Sequence, residues 1–206
     1  MSASVKTTTY SLDWDVVMNL ESRMIRDFQR ESTSSKGIHL LMVSIGARLG
    51  LRIIDNLNLK WEDLIELEVG ERFVRVEKKT DKERILVMST KLKEVLDIVD
   101  EAMAPEYSNY ILSSQKTNGL KPMSIQSFNR ILKGIMKDYK VKYIGGCSSH
   151  LLRKSWVVGS IRKGFQDGDH LSLIKVSRLV GHANISTTLK YTNFEASQSF
   201  GLFELS

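Results

Sequence analysis

The sequence predicts an α+β fold, a mostly helical single domain with a small three-stranded antiparallel sheet in its first half. Apolar residues recur every three or four positions along most of the chain, as on the buried face of a helix. Between residues 64 and 88 they recur every second position instead, as on a strand with one face toward a core. The chain has 206 residues, 42% of them hydrophobic, which is enough for one sizeable core.

Two long helices are predicted before the sheet. The first follows a cap at Ser11 or Asp13, and the second ends at Gly50. Their apolar positions step by three and four: Val17, Leu20, Met24 and Phe28 in the first, and Ile38, Leu41, Met42, Ile45 and Leu49 in the second. A short helix is predicted within residues 51–57. Residues 1–10, rich in Ser and Thr, are interpreted as a polar lead-in.

The sheet is predicted to comprise three short strands, followed by helices to the end of the domain. The strands cover 64–68, 72–77 and 84–88, with turns at 69–71 and 79–82. An extended piece is predicted at 110–112. The later helices are expected to begin at Thr90, Ser124, Ser148 or Ser149, Ser172 and near Ser186.

Composition and charge narrow the classes of function. The net charge of +6 and a pI near 9.3 suit a polyanionic partner without requiring one. The single cysteine, Cys147, excludes an internal disulfide and fits a reducing compartment. No apolar run reaches the roughly 18–20 residues of a membrane span, and the first ten residues lack an apolar signal core. We therefore expect a cytoplasmic protein with no membrane association.

His150 and Arg153 stand three residues apart in the first turn of a predicted helix, so their side chains share a face. Both can reach one anion there, and the helix amino terminus adds a partial positive charge. A histidine and an arginine also occur at this spacing by chance. The pair by itself therefore does not identify a site.

Tyr191 and His182 lie on the last two predicted helices. A phenol has a pKa of about 10, and nearby cations with a hydrogen-bonding histidine would ease its deprotonation. His182 directly follows Gly181, which ends a helix, so its side chain projects beyond that end. A half-buried core tyrosine and a simple helix cap are the alternative interpretations.

Arg52 and Lys79 are candidate cations from the first half of the chain. Arg52 has several apolar neighbours, and a guanidinium in such surroundings needs a partner. Asp55, three residues on, is one candidate, and a phosphate is another. Lys79 lies in a tight turn beside Lys78 and Lys82, where a cluster of charges is usually only solvated.

Four segments resemble the tyrosine recombinase (phage integrase) family. GLRIIDNLNLKWED at 50–63 resembles the first sequence box of that family, and SHLLRKS at 149–155 with LVGHANISTTLKYT at 179–192 resembles the second. KTDKER at 79–84 resembles the hairpin that carries the lysine of the family. The order and spacings agree over residues 11–195, which we interpret as a tyrosine recombinase catalytic domain.

The resemblance implies a DNA strand-transfer reaction. It makes Tyr191 the nucleophile that attacks a phosphodiester, giving a 3′-phosphotyrosyl bond and a free 5′-hydroxyl. Arg52 and Arg153 would bind the non-bridging oxygens, where charge accumulates. Lys79, with Lys82 as its rival, would protonate the leaving oxygen.

The remaining implied roles are supporting ones. His150 would assist proton transfer at the tyrosine, His182 would bind the phosphate or support the site, and Asp55 would orient the site. The resemblance implies no metal. No nucleotide cofactor is expected either, because the phosphotyrosyl bond conserves the energy needed for rejoining.

The chain departs from the usual plan of the family, because only about ten residues precede the first catalytic-domain helix. It would be either an excised fragment without the DNA-clamping domain or a short member, like the fimbrial phase-variation invertases. Residues 196–206 form an apolar tail that would pack on its own core or dock into a neighbouring protomer. The expected partners are double-stranded DNA, further copies of the chain in a dimer or tetramer, and accessory DNA-bending proteins.

Three functions share this pattern of residues. The first is a site-specific recombinase acting in DNA integration, excision or inversion. The second is a type IB topoisomerase, which uses the same chemistry to relax supercoils. The third is a DNA-binding protein that keeps the fold without catalysis. The short chain and the apolar tail count against the topoisomerase, and the six filled site positions count against the non-catalytic protein, so the recombinase is favoured.

Overall fold

Residues 9–192 are described by a computed structural model, apart from the side chain of Gln115. This part of the chain contains eight α-helices and one two-stranded antiparallel sheet, which confirms the α+β prediction. The helices are α1 Trp14–Arg30, α2 Ser34–Arg48, α3 Ile53–Leu57, α4 Thr90–Met103, α5 Ile125–Asp138, α6 Ser149–Gln166, α7 Ser172–Leu179 and α8 Ile185–Thr192; the strands are β1 Arg72–Val76 and β2 Glu83–Val87. Most of the polar lead-in and the whole apolar tail lie outside the described residues.

The predicted strand at 64–68 is wrong, and the sheet has two strands rather than three. Residues 61–63 form a 3-10 turn, and the amides of Leu64 and Ile65 both donate to the carbonyl of Trp61, at 3.0 and 2.9 Å. Leu64 and Ile65 are consecutive and both buried, so they do not alternate between two faces as strand residues do. Local hydrogen bonds therefore satisfy the backbone that a strand would have paired.

Helix α2 lies at the centre of the fold and packs against α1, α4, α5 and α6. Its residues from Gly37 to Ala47 are buried, with His39 half-buried. A helix that is apolar around its whole circumference belongs inside a protein. The amphipathic helices α1, α4 and α5 turn one face toward it.

Gly50 lies two residues beyond the end of α2 and two residues before Arg52. Its φ of +59° is a left-handed conformation that side-chain-bearing residues rarely adopt, and an added Cβ would lie 2.4 Å from the ring of Trp156. Only glycine therefore lets the chain pass this close to α6.

Helix α6 connects the main core with a smaller cluster that carries the last two helices. The smaller cluster consists of Val157, Ile161, Val176 and Val180, and the ring of Tyr191 packs against it. Helices α7 and α8 each contact α6 and each other. The position of Tyr191 thus depends on α6. Within residues 9–192, no helix combines the length and apolarity needed to cross a bilayer.

Candidate active site

Arg52 immediately precedes α3, and its guanidinium forms an ion pair with Glu77. The side chain of Arg52 is 22% exposed and that of Glu77 is 0% exposed, so Arg52 is the member of the pair that solvent reaches. Asp55, the partner suggested by spacing, instead accepts a hydrogen bond of 2.9 Å from the amide of Lys78. Glu77 is therefore the carboxylate that neutralises Arg52.

Glu77 also contacts Arg84 and Thr80. Its Oε1 lies 3.8 Å from Nε of Arg84, and its Oε2 accepts a 2.7 Å hydrogen bond from the hydroxyl of Thr80. Burial works to raise the pKa of Glu77, but the Thr80 hydrogen bond and the two guanidiniums outweigh it, so the pKa is lowered. Burial, with the nearby charges of Arg153 and Arg52, lowers the pKa of Arg84 to about 10, so it stays protonated at neutral pH.

Lys79 lies in the turn that joins β1 to β2. The turn is attached near Arg52 at two points, through Lys78 to Asp55 and through Thr80 to Glu77. The side chains of Lys79 and Lys82 are exposed, and neither ammonium forms a hydrogen bond or ion pair with the residues at 9–192. The turn is thus fixed while the lysine side chains extend into solvent.

Arg153 connects the two halves of the chain. Its Nη1 donates a 2.7 Å hydrogen bond to the carbonyl of Gly50, and its Nη2 donates a 2.8 Å hydrogen bond to the carbonyl of Val180. The residue is 4% exposed. Burial and the charge of Arg52 lower its pKa, and the neighbouring side chains of Tyr191, Glu77 and Asp55 act in the opposite direction. The two predicted arginines therefore lie close together.

His182 follows the left-handed Gly181, and its ring packs edge-on against Tyr191 with 5.3 Å between the ring centroids. Its Nδ1 lies 2.8 Å from the hydroxyl of Thr188, which leaves Nε2 for a ligand. Burial, followed by the charges of Arg153 and Arg52, lowers the pKa of His182 to about 4. The ring is therefore neutral at physiological pH.

Tyr191, on α8, lies between His182 and Lys154. The ammonium of Lys154 is 4.8 Å from the centre of the tyrosine ring and donates a 2.5 Å hydrogen bond to the carbonyl of Thr9. A cation over an aromatic face is electrostatically favourable. Lys154 thus holds the amino-terminal segment and α8 against the start of α6.

His150 lies in the first turn of α6, as predicted, and is exposed. The start of the helix is held by the amide of Ser149, which donates a 2.8 Å hydrogen bond to Oδ1 of Asn129. Partial burial and the charges of Arg153 and Lys154 lower the pKa of His150. Its neutral form, which can accept a proton, is therefore favoured.

The structure brings together Arg52, Asp55, Arg153, His182 and Tyr191, places His150 at the same end of α6, and leaves Lys79 on the adjacent turn. Three guanidiniums and two carboxylates leave one positive charge in excess. Five buried side-chain atoms lack a well-oriented hydrogen bond in the described residues, and four of them belong to this cluster: Arg52 Nη1, Asp55 Oδ2, Glu77 Oε1 and Arg84 Nη1. Arg52 Nη1 is the atom that pairs with Glu77, and two of the four atoms are carboxylate oxygens. The positive charge in excess is therefore the feature of the cluster that favours an anion.

Glu77, Arg84 and Lys154 were missed in the sequence. The two-residue period of the hairpin contained the signal, since it places Arg84 on the same face as buried Leu86. Glu77 follows buried Phe73 by four positions and has the same orientation. An acid and a base that both point inward from paired strands predict a buried ion pair. Nothing in the local pattern around Lys154 indicated its contact with Tyr191.

Two further observations on the described residues concern possible metal ligands and a separate cavity. No group of three or more His, Cys, Asp or Glu side chains is arranged there to bind a metal ion. A cavity of about 620 Å³ between α1 and α6, lined in part by Trp14, Arg48, Trp156 and Arg162, lies apart from the arginine cluster. The cluster itself combines guanidinium, imidazole and phenol groups.

Residues 18–198 match the model of the phage integrase family. The chain belongs to the phage integrase family. Among its relatives is the tyrosine recombinase XerD of Listeria innocua, 33% identical over 158 residues, which are 74% of this chain and 48% of the relative. TnP I resolvase of Bacillus thuringiensis is 30% identical over 151 residues, 71% of this chain and 46% of the relative. The chain spans about half the length of these two relatives.

Solved structures of this family share the fold. The XerH recombinase in a post-cleavage complex with its difH substrate superposes with a TM-score of 0.67, at 20% identity, over 94% of this chain and 52% of that one. The catalytic core of lambda integrase superposes with a TM-score of 0.55, at 19% identity, over 84% of this chain and 91% of that one. The expected tyrosine recombinase catalytic fold is therefore confirmed.

Proposed function

We propose that this chain carries the catalytic site of a site-specific DNA recombinase, which cleaves and rejoins double-stranded DNA through a 3′-phosphotyrosyl intermediate. The observation that carries the proposal is the convergence of Arg52, Arg153, His182 and Tyr191, from four separate elements, in one positively charged cluster. Family membership supports it. The reaction would serve DNA integration, excision or inversion.

The cleavage step transfers the phosphoryl group from DNA to the protein. The phenol oxygen of Tyr191 attacks the scissile phosphorus, and the bond between phosphorus and the 5′-oxygen breaks. The phenol proton passes to neutral His150, and Lys79 protonates the departing oxygen to give a 5′-hydroxyl. In the reverse step, a 5′-hydroxyl attacks the phosphotyrosyl bond and regenerates the tyrosine, so that rejoining requires no nucleotide cofactor.

Arg52 and Arg153 are proposed to bind the non-bridging oxygens of the scissile phosphate. Guanidinium groups suit this role because they remain charged and donate several hydrogen bonds in a plane. Donors fixed before the reaction stabilise the developing charge without a cost of reorganisation. The 22% exposure of the Arg52 side chain supports its access to DNA.

His182 and Asp55 are proposed to support the two arginines. With Nδ1 near Thr188, Nε2 of His182 is the nitrogen suited to donate a hydrogen bond to the phosphate, which makes the neutral ring a donor there. Asp55 attaches the Lys79 turn to the element that carries Arg52. These positions suggest that neither residue exchanges a proton with the reacting atoms.

The quaternary organisation is part of the proposal. A lambda integrase fold neighbour is described as a tetramer bound to a Holliday junction and another as a dimer bound to a core site. We infer dimers to tetramers of this chain on DNA, with accessory DNA-bending proteins. Residues 11–195 would form the catalytic domain, and the tail at 196–206 would be available for exchange between protomers.

The test is formation of a covalent adduct. The protein is incubated with a pool of random-sequence duplexes, each nicked so that the short cleaved strand diffuses away and traps the intermediate. The wild type should give a denaturant-resistant protein–DNA adduct, Tyr191→Phe should give none, and the exposed-tyrosine control Tyr107→Phe should match the wild type. Sequencing of the trapped DNA would define the target site.

The same assay separates the alternative functions. Adducts on DNA of any sequence, with relaxation of supercoils and no strand exchange, would identify a topoisomerase. DNA binding without an adduct from the wild type would identify a non-catalytic binding protein. Either result would overturn the proposed recombinase.

A further inference from the structure

Glu77 contacts Arg52 from the buried side of the site, and we propose that it is a positioning residue for strand cleavage. The inference rests on the proposed function, because it assigns Glu77 a role through a proposed phosphate-binding arginine. Glu77 itself would touch neither DNA nor the reacting atoms. Its carboxylate would fix the direction in which the Arg52 guanidinium presents its remaining N–H groups.

The burial of Glu77 indicates that it acts through Arg52 rather than by direct contact with DNA. The Glu77 side chain is 0% exposed, whereas that of Arg52 is 22% exposed. A ligand can therefore reach Arg52 from the solvent side while Glu77 contacts it from below. An added Cβ at Gly181 would lie 3.5 Å from the Glu77 carboxylate, so the loop before His182 covers this carboxylate closely.

The Glu77 carboxylate is itself fixed. The backbone amide of Glu77 donates to the carbonyl of Lys82 at 3.0 Å, and its carbonyl accepts from the amide of Asp81 at 2.9 Å. The Thr80 hydroxyl donates to Oε2, and Arg84 lies beside Oε1. A carboxylate held from several directions loses little further freedom when it orients a partner.

Repulsion from the neighbouring guanidiniums would displace Arg52 if no carboxylate held it. Burial lowers the pKa of Arg84 and of Arg153, and the guanidiniums of this cluster are near enough that the charges of neighbouring arginines lower both values further. Like charges in a partly buried site repel, and a partly exposed arginine can relieve that repulsion by turning toward solvent. The carboxylate of Glu77 offsets the repulsion and favours the inward position.

Substrates with an altered scissile phosphate distinguish a positioning role of Glu77 from a loss of protein stability, because a loss of stability would slow the cleavage of every substrate equally. Replacing one non-bridging oxygen of the scissile phosphate with a methyl group removes the charge that Arg52 would neutralise. Cleavage of this methylphosphonate should therefore depend much less on where Arg52 lies. A sulfur at the 5′-bridging position instead gives a leaving group that needs no proton from Lys79. The charge on the non-bridging oxygens stays, so Arg52 would still be required.

The experiment compares Glu77→Gln with Glu21→Gln on duplexes containing the trapped target site. Glu21 is a matched control, because it is also buried, pairs with Arg48 and accepts a 2.6 Å hydrogen bond from Ser44, but lies outside the arginine cluster. On the phosphodiester, Glu77→Gln should cleave about 10- to 100-fold more slowly than the wild type, as for a misplaced catalytic group. Glu21→Gln should cleave at the rate of the wild type.

On the methylphosphonate, the loss caused by Glu77→Gln should shrink to within about 3-fold, as for Arg52→Ala, because the charge to be stabilised is gone. The bridging-sulfur substrate should leave the loss unchanged. Equal losses on the phosphodiester and methylphosphonate would show a purely structural role and overturn the inference. So would a Glu77→Gln variant that cleaves like the wild type, or a loss cancelled by the bridging sulfur.

Thr80→Val extends the test in case Glu77→Gln does not fold. It removes the hydroxyl that holds Oε2 and leaves the ion pair in place, so a smaller loss with the same substrate dependence is expected. An unchanged rate for Thr80→Val, with Glu77→Gln unfolded, would overturn the inference. Failure of the proposed function is distinguishable, since then the wild type would form no adduct on any of the substrates.

Discussion

Arg153 and Gly50 are joined by a hydrogen bond of 2.7 Å across 103 residues of sequence. Gly50 lies two positions before Arg52, so this bond and the second bond of Arg153, to Val180, link the elements that carry Arg52, His182 and Tyr191. Arg153 is thus both a proposed phosphate ligand and the connection between the two halves of the site.

Arg153→Ala is expected to slow adduct formation at least about 10²-fold, the usual cost of removing one preorganised transition-state donor. It also leaves the buried carbonyls of Gly50 and Val180 without a partner, so the free energy of unfolding should fall as well. Single-turnover cleavage and denaturant unfolding measure the two effects. The exposed Arg30→Ala is the control. Near-wild-type cleavage by Arg153→Ala would remove Arg153 from the site.

Lys79→Ala is expected to slow cleavage about 10²-fold or more on a phosphodiester, in the range of general-acid catalysis. A 5′-bridging sulfur should restore the rate, because a thiolate leaves without needing a proton. Lys82→Ala, in the same turn, should cleave normally on both substrates. If instead Lys82→Ala shows the loss and its rescue, Lys82 is the general acid.

Gly181→Ala is expected to destabilise the protein and slow cleavage. The backbone at Gly181 has a φ of +66°, which costs a side-chain-bearing residue about 1–2 kcal/mol. In addition, the new Cβ would lie 3.2 Å from Nη1 of Arg84. Chemical denaturation measures the loss of stability, and the rate of adduct formation measures the slower cleavage.

Gly168→Ala separates the cost of the left-handed backbone from the cost of the close contact with Arg84. Its φ is +80°, but no atom lies within 4 Å of the added Cβ. It should show the backbone cost, about 1 kcal/mol, without a change in cleavage rate. Equal effects of the two substitutions would contradict the close packing between Gly181 and the Glu77–Arg84 pair.

His182 should make the stability of the protein fall as the pH is lowered from about 6.5 toward 4. The pKa of His182 is lowered from its usual 6.5 to about 4 by burial and by the surrounding arginines. Between these values the unfolded state binds the proton and the folded state does not, so stability is fully present above pH 6.5 and is lost on acidification.

His182→Asn, which cannot titrate, should reduce the slope of stability against pH between pH 6.5 and 5. Most carboxylates remain ionised in this window, so their contribution is small. His39→Asn gives a comparison for burial without neighbouring arginines. Burial also lowers the pKa of His39, and His39 lies outside the arginine cluster. An unchanged slope in His182→Asn would show that the pKa of His182 is the same in the folded and the unfolded protein, which would contradict the lowered value.

Most helices of this fold could be predicted because their signals are local. The cap at Ser124 accepts the expected hydrogen bond from the amide of Ser127, and Asp13 precedes α1 as one of the two proposed caps. The segment at 64–68 failed because Leu64 and Ile65 are both buried by their surroundings. Hydrophobic period over five residues does not distinguish a strand from a short turn buried on both sides.

The sequence by itself determined the family and the order of the helices, and it predicted His150, Arg153, His182 and Tyr191 as site residues, because helical spacing and sequence motifs are local properties. Only the tertiary structure decided that Arg52 pairs with Glu77 rather than Asp55, that Arg153 bonds to Gly50 and Val180, and that Lys154 lies over Tyr191. Each of these contacts joins residues that are far apart in the chain. Which charges meet therefore depends on how the elements pack, and spacing along one element does not contain that information.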